Sequence, residues 1–382
     1  MRAWALAALV VSAACASAPV RRASDEESAA AAPPPANIVT VEGKGQRGGR
    51  LVWVDENGAR LGDLTPGEAK ATVDMNPAWS HDGEWVVFSS NRDRSRFEDS
   101  SLWLVRARPG AEPIRLTQGE PDDRDPRFMP GDRGVVYSAH IGNGSFDLWY
   151  LPLSWPGGHS APPRPGRPRR LTRTDKLHEL SPCPRPDGAG IVYMAIDPAS
   201  KMSRLYWLAL PAGKPVAISE GPFDSTPSFS PDGRTIAFSA PVKGRDDVDL
   251  FAVDVGGKHR RVLVEEPIAD ETGPVWSADG RYVFATAIVR SARTGEALIS
   301  SLVFVDLVEK RHLLRAMHDP IVLENPLAYV PRLGVAVGPA GFDPARLHHN
   351  WSHRKAADAI LTNAVNQNQR EQEQQQPPAK PP

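Results

Sequence analysis

The sequence has no large excess of positive or negative charge, has only two cysteines, and contains no hydrophobic run long enough to cross a bilayer. The formal net charge is −1 over 382 residues. A surface that binds polyanions needs a clustered excess of Lys and Arg, so a nucleic-acid partner is not expected. What the sequence has in abundance is 38 Pro and 31 Gly. This composition favours many short strands joined by tight turns over long helices.

Motifs for catalysis are also lacking. Serine peptidases of the α/β-hydrolase type need a G-x-S-x-G nucleophile motif, and the sequence contains none. The ten histidines are scattered, with His81 in a turn position and His159 in a loop, and no set of them has the spacing of metal ligands. We therefore predict no catalytic residue, no metal site built from histidines and no enzymatic activity.

The first residues have the features of an export signal. Arg2 provides a positive charge, residues 3–11 are apolar but too short to span a membrane, and residues 12–14 are small. Cys15 follows directly, and the segment resembles a bacterial lipoprotein signal, which implies a signal peptide over residues 1–14 and a lipid on Cys15. The expected location is the periplasmic side of the outer membrane, with the lipid as membrane anchor. A secreted or soluble periplasmic protein is the alternative.

A flexible tether is predicted over residues 15–48. Residues 17–36 have almost no large apolar side chains, so they cannot offset the entropy lost on ordering. The other cysteine, Cys183, is then expected to be an unpaired and buried thiol.

An internal repeat dominates the middle of the chain. Its clearest copies begin at Pro77 (PAWSHDGEWVVF), Pro227 (PSFSPDGRTIAF) and Pro274 (PVWSADGRYVF). Looser copies begin at Pro126 and Pro182, and a degenerate one begins at Pro326. A spacing of about 50 residues is typical of a propeller blade made of four short strands.

Each copy has the chemistry of a strand, a turn and a returning strand. Proline lacks an N–H group and is tolerated at the start of a strand, and the following aromatic residue can pack on a neighbouring blade. In the Asp-Gly pair, Asp bonds to the turn backbone and Gly accepts a positive φ. Apolar third strands such as Leu102-Trp-Leu-Val105 and short fourth strands such as Arg115-Leu-Thr117 follow.

The sixth copy lacks its third and fourth strands. Leu51-Val-Trp-Val-Asp55 matches the third-strand pattern, and Arg60-Leu-Gly-Asp-Leu-Thr65 matches the fourth. We therefore predict an all-β, six-bladed β-propeller over residues 49–340, with its last blade closed by N-terminal strands. Closure of this kind removes exposed strand edges.

The repeat unit P-x-[WF]-S-x-D-G, together with Ser89-Ser-Asn-Arg-Asp93 and Leu102-Trp103, is similar to the repeat of TolB-like propellers. The resemblance covers roughly residues 50–338. It implies a non-enzymatic scaffold that binds proteins or peptides of the cell envelope, as a monomer within a larger assembly, but the N-terminal α/β domain of TolB is not expected here. Related propellers include metal-dependent sugar-acid lyases, so a lyase or hydrolase is the enzymatic alternative.

Five carboxylates stand three residues before the starting prolines. They are Asp74, Asp123, Glu179, Asp224 and Glu271, and Leu323 takes this position in the sixth copy. Equivalent positions in successive blades would place them around the channel mouth, where they could bind a divalent cation such as calcium or a basic peptide. An ion or small-ligand sensor that uses this acidic mouth is therefore a further alternative function. The alternative is a structural role, in which each carboxylate accepts hydrogen bonds at a blade junction.

Two further segments have recognisable composition. Residues 155–170 form a Pro- and Arg-rich loop, expected to be solvated and extended, with docking of an acidic partner as the alternative. Apolar residues recur at helical spacing near the C-terminus, which predicts a short helix within an extension over residues 341–370. The Gln-rich residues 371–382 are expected to be a disordered tail.

Overall fold

The computed structural model describes most of the predicted propeller. The described residues are 38–43, 49–54, 60–66, 72–94, 99–118, 122–140, 142, 144–245, 247–264, 269–290, 297–308, 311–316 and 336–338. The predicted signal peptide, Cys15, residues 326–335 of the sixth repeat copy, the C-terminal helix and the tail lie outside these ranges. No helix long and apolar enough to span a membrane occurs within them.

The described strands form six antiparallel sheets, which we number as blades in chain order. Blade 1 contains β4 (Asp74–Trp79), β5 (Trp85–Ser90), β6 (Ser101–Arg106) and β7 (Ile114–Arg115). Blade 2 contains β8 (Asp122–Phe128), β9 (Gly134–His140), β10 (Phe146–Ser154), β11 (Arg164–Pro165) and β12 (Arg169–Arg170). Blade 3 contains β13 (His178–Pro184), β14 (Gly190–Ile196), β15 (Ser203–Ala209) and β16 (Val216–Ala217).

The remaining blades complete the ring. Blade 4 contains β17 (Ser225–Phe229), β18 (Thr235–Pro241), β19 (Val248–Asp254) and β20 (Arg261–Val264). Blade 5 contains β21 (Asp270–Trp276), β22 (Tyr282–Arg290), β23 (Ala297–Asp306) and β24 (Arg311–Ala316). Blade 6 contains β1 (Ile38–Gly43), β2 (Gly49–Val54), β3 (Arg60–Asp63) and β25 (Ala336–Val337). The first strands touch in the cyclic order β4, β8, β13, β17, β21, β25 and back to β4, which confirms the six-bladed propeller.

Blade 6 combines strands from both ends of the propeller, but three of its described strands come from the N-terminal side rather than the predicted two. We expected two strands from each end, whereas β1, β2 and β3 all come from the N-terminal side and β25 pairs with β1. Leu51 therefore lies one strand away from the C-terminal strand. The predicted tether is wrong at its C-terminal part, because β1 falls within residues 15–48. The β-branched run from Ile38 to Val41 explains the difference, since it fits a buried strand and the low apolar content ends at residue 36.

The repeated aromatic residue packs where expected, against the preceding blade. Trp79 at the end of β4 lies 5.7 Å from Trp53 of blade 6, between ring centroids, and its Nε1 donates to the Ala336 carbonyl at 3.2 Å. In blade 5, Trp276 Nε1 donates to the carbonyl of Ser228 in blade 4 at 3.1 Å. The aromatic side chain thus bonds adjacent blades by both apolar contact and a hydrogen bond.

The tight turns also follow the sequence prediction. In blade 1, Asp82 Oδ1 accepts hydrogen bonds from Ser80 Oγ at 2.5 Å and from the Glu84 N–H at 2.9 Å, and Gly83 has a φ of 75°. The Ser-x-Asp part of this bonding recurs in the turns after β17 and β21. We call the end of the ring that carries these turns the turn end, and the opposite end, where the first strands begin, the carboxylate end.

A bulge interrupts the first strand of five blades directly before the repeat proline, and no sequence pattern predicted it. Pairing with the second strand shifts register at this point in blades 1 to 5. The residues with positive φ are Asn76 (55°), Asp125 (53°), Ser181 (51°), Thr226 (47°) and Gly273 (67°). Two of these residues connect blades 2 and 3, because Asp125 Oδ2 accepts a hydrogen bond from the Ser181 N–H at 2.8 Å. The bulges therefore help to fix the inner ring.

Cys183 differs from expectation in one respect. It is a free thiol, as predicted, but it is partly exposed rather than buried. Its sulfur accepts a hydrogen bond from the Phe229 N–H at 3.4 Å, so it lies at the junction of blades 3 and 4.

Candidate functional site

The five predicted carboxylates occupy equivalent places at the carboxylate end. Each lies at or next to the first residue of a first strand, and each is at most 3% exposed. The set is Asp74, Asp123, Glu179, Asp224 and Glu271. The sixth position, Leu323, lies outside the described residues. The partners of Asp74, Asp123, Glu179 and Asp224 come from neighbouring strands and loops of the ring.

Two of the carboxylates form ion pairs with arginines. Arg92 Nη2 donates to both oxygens of Asp74 at 2.9 and 2.7 Å, and the Arg92 side chain is itself only 5% exposed. The guanidinium carbon of Arg92 also lies 5.4 Å from the ring centroid of Trp103. In blade 4, Arg260 Nη1 contacts both oxygens of Asp224 at 3.1 and 3.2 Å. Pairing and stacking offset part of the cost of burying these charges.

Asp123 and Glu179 accept hydrogen bonds from threonines instead. Thr172 Oγ1 donates to Glu179 Oε2, and Tyr193 donates to Glu179 Oε1 at 3.3 Å. Asp123 accepts from Thr117, which holds the same place at the end of the preceding blade. Burial raises the pKa of Asp123 and of Glu179 to about 7 in each case. These two carboxyl groups therefore change charge near neutral pH.

The threonines belong to a repeated arrangement that joins the third and fourth strands. A hydroxyl oxygen after the fourth strand accepts the backbone N–H of a leucine on the third strand at 2.9 Å in four blades. The pairs are Thr65 with Leu51, Thr117 with Leu102, Thr172 with Leu148, and Ser219 with Leu205. Together with the carboxylates, these contacts favour a structural role at the blade junctions over an open ring of charge.

Asp123 also lines a cavity between blades 1 and 2. The cavity has a volume of about 320 Å³, and the Pro- and Arg-rich loop forms part of its wall through Pro165 and Pro168. Within the described residues, Asp123 Oδ1 and the buried Trp149 Nε1 have no hydrogen-bond partner. Both atoms are shielded from solvent, whereas other atoms of the two side chains line the cavity.

The turn end carries a second cluster that spacing along the chain did not predict. Asp82, Asp132 and His159 each offer one ligand atom, and these atoms lie within 4.8 Å of one another. His81, which replaces the usual turn proline, lies beside them, with its Nδ1 2.7 Å from Asp132 Oδ1. Only the adjacency of blades 1 and 2 and the fold of the loop bring these residues together, so the signal was absent from the sequence.

Comparison with known proteins supports the fold at low sequence identity. No family model and no curated protein sequence matches the chain. Among solved structures, a putative TolB from Agrobacterium tumefaciens is similar with a TM-score of 0.53 and 18% identity, covering 75% of this chain and 89% of that one. TolB from Acinetobacter baumannii has a TM-score of 0.58 and 16% identity, covering 75% of this chain and 65% of that one.

The same architecture also occurs in an enzyme. Hydrazine synthase of Kuenenia stuttgartiensis is similar with a TM-score of 0.54 and 15% identity over 74% of this chain and 45% of that one. Similarity at these identities establishes the fold and leaves the activity to the site. The chain is a six-bladed β-propeller of the TolB-like fold.

Proposed function

We propose that this protein is a non-enzymatic binding scaffold of the cell envelope, which holds a protein or peptide partner at the carboxylate end of the ring. The observation that carries the proposal is a pair of exposed apolar side chains at this end. Met202 is 46% exposed and Phe223 is 48% exposed. Their backbones are adjacent, because Ser203 Oγ donates to the Asp224 carbonyl at 2.9 Å.

The surroundings of this pair support a role in binding. Phe223 has a φ of 67°, which is unfavourable for an aromatic residue, and it directly precedes the fully buried Asp224. The ion pair of Asp224 with Arg260 fixes the backbone from which Phe223 projects. An exposed aromatic side chain on a rigid support is a common anchor in protein interfaces.

Site-specific photo-crosslinking in intact cells tests this proposal. A photoreactive phenylalanine analogue at Phe223 or Met202 should crosslink to a discrete envelope protein. The matched control is Val308, which is 72% exposed and follows β23 at the turn end. Crosslinking at Val308 as strong as at Phe223, or none at either position of the pair, would contradict the assignment.

The membrane anchor is a separate part of the proposal. We propose that the signal peptide is removed before Cys15 and that this cysteine carries the lipid. Mass spectrometry of the mature N-terminus tests it directly. A diacylated Cys15 supports the anchor, and an unmodified N-terminus beyond Cys15 means simple secretion.

A second candidate function is the binding of a small ligand in the Asp123 cavity. The cavity of about 320 Å³ is lined by the carboxyl side chain of Asp123 and by the aromatic side chains of Tyr137 and Trp149, which favours a small molecule with an aromatic or planar part. Mass spectrometry of small molecules released by heating the purified protein would identify such a ligand. Asp123→Asn should reduce the amount released, whereas Glu112→Gln, which removes an exposed carboxylate, should not. Equal amounts from both variants and the wild type would contradict this function.

A further inference from the structure

The cluster at the turn end draws its members from three separate elements. Asp82 lies in the turn between β4 and β5, and Asp132 ends a short 3-10 turn, Pro130–Asp132, between β8 and β9. His159 lies in the loop after β10. Blades 1 and 2 and the long loop therefore meet at this point. Asp132 is 2% exposed, so its charge is almost fully removed from water.

The three side chains converge on one point. His159 Nδ1 contacts Asp82 Oδ2 and lies 3.9 Å from Asp132 Oδ2. All three candidate ligand atoms lie within 4.8 Å of one another. A tetrahedral zinc ion with bonds of about 2.1 Å holds its ligand atoms about 3.4 Å apart. Side-chain movements of about half an ångström to about 1.4 Å would bring the three atoms to that spacing.

A second layer of contacts orients both carboxylates. The Ser80 hydroxyl and the Glu84 N–H donate to Asp82 Oδ1, which leaves Oδ2 facing His159. The His81 N–H donates to both oxygens of Asp132, at 3.0 and 3.1 Å, and the ring Nδ1 of His81 lies 2.7 Å from Asp132 Oδ1. Ligating carboxylates in metal sites are commonly held in this way by outer hydrogen bonds.

The loop that carries His159 is also fixed. The rings of His159 and Trp155 lie 4.2 Å apart between centroids, and Trp155 Nε1 donates to the Asp132 carbonyl at 2.7 Å. From blade 1, Trp85 Nε1 donates to the His159 carbonyl at 2.8 Å. The imidazole is therefore positioned by both blades before any ion binds, which lowers the cost of assembling a site.

Charge and ligand chemistry indicate the kind of ion. Two carboxylates next to one imidazole carry two negative charges, which a divalent cation neutralises while the neutral imidazole donates its Nδ1 lone pair. A nitrogen ligand favours a transition metal over calcium or magnesium, which prefer oxygen. We propose that Asp82, Asp132 and His159 form a binding site for a divalent transition metal, with zinc as the best fit. The ion would connect blades 1 and 2 through the loop, and its fourth position would accept water.

Metal titration of the full chain tests the site. The protein is first treated with a chelator, and binding of zinc is then measured by calorimetry. We expect one ion per chain, and His159→Gln should weaken binding by more than about tenfold. The matched control is His259→Gln, because His259 Nδ1 lies 2.8 Å from a single carboxylate, Asp254, in an exposed turn. This control should bind zinc like the wild type.

A second readout separates loss of the site from loss of the fold. Zinc should raise the melting temperature of the wild type and of His259→Gln but not of His159→Gln. Asp82→Asn serves as an independent variant if His159→Gln does not fold. Absence of zinc binding by the wild type would overturn the proposal and leave the contacts of His159 with Asp82 and Asp132 as internal contacts that fix the loop. Unchanged zinc binding in both site variants would overturn it equally.

Discussion

Asp123 should make the stability of the propeller depend on pH between about pH 4 and pH 7. Burial raises the pKa of its carboxyl group from 3.8 to about 7 in the folded protein. The folded state therefore holds a proton that the unfolded state has released, and this contribution to stability is complete below pH 4. It is lost as the pH rises through 7, when the buried carboxylate becomes charged.

The size of the effect follows from the two pKa values. One pKa unit corresponds to about 1.4 kcal/mol. Asp123 should therefore reduce the free energy of unfolding by about 3 kcal/mol between pH 5 and pH 8. Asp123→Asn keeps a neutral side chain of the same shape, and its amide oxygen can still accept the hydrogen bond from Thr117. This variant should lack that part of the pH dependence.

Urea unfolding at pH 5 and pH 8, followed by tryptophan fluorescence, measures the effect. The difference in unfolding free energy between the variant and the wild type should move by about 3 kcal/mol in favour of the variant over this range. Taking the difference removes the contribution of other titrating groups, such as His178, whose pKa burial lowers. Glu179→Gln should behave in the same way, since the pKa of Glu179 also rises to about 7.

A control variant at an exposed carboxylate shows whether the burial of Asp123 causes the pH dependence. Glu112→Gln also removes one carboxylate, but from an exposed position, and it should follow the wild type at both pH values. If Asp123→Asn and the wild type lose stability in parallel from pH 5 to pH 8, Asp123 is ionised in the folded protein throughout. The junction between blades 1 and 2 would then need a cation beside it.

Two further substitutions test the packing of the ring. Arg92→Leu would leave the buried carboxylate of Asp74 without its cation, and it should reduce the free energy of unfolding by about 3–5 kcal/mol, measured by urea unfolding. Gly134→Ala would place a Cβ atom 2.4 Å from the Tyr150 ring and should lower the melting temperature, whereas Gly62→Ala meets no atom within 4 Å and should leave it nearly unchanged. Equal melting temperatures for the two alanine variants, or a stable Arg92→Leu protein, would contradict the described contacts.

The blades could be predicted because their signals are local. The three clearest copies combine a starting proline, an aromatic residue and an Asp-Gly turn within about a dozen residues, and the structure confirms a strand, a turn and a strand there. The bulges could not be predicted. They place residues such as Thr226 at a φ of 47°, which a β-branched side chain disfavours, so the inner ring as a whole must impose this conformation.

The candidate sites could also be predicted only in part. The positions of the five carboxylates followed from the repeat, but their partners did not, because Arg92 and Thr172 reach them from different strands and loops. The cluster of Asp82, Asp132 and His159 depends on the path of a long loop over two blades. Spacing in the sequence carries no information about such a path.

The mixed origin of blade 6 has a consequence for how the protein matures. Trp79 and its acceptor Ala336 are 257 residues apart in the sequence, and the same C-terminal strand pairs with β1. Contacts of such long range form slowly, because a large loop must close before they contribute. Strands β1 to β3 therefore complete their blade only when β25, the last of the described strands, is in place. Removal of β25 would leave the edge of β1 open to pairing with another chain, which is a route to aggregation.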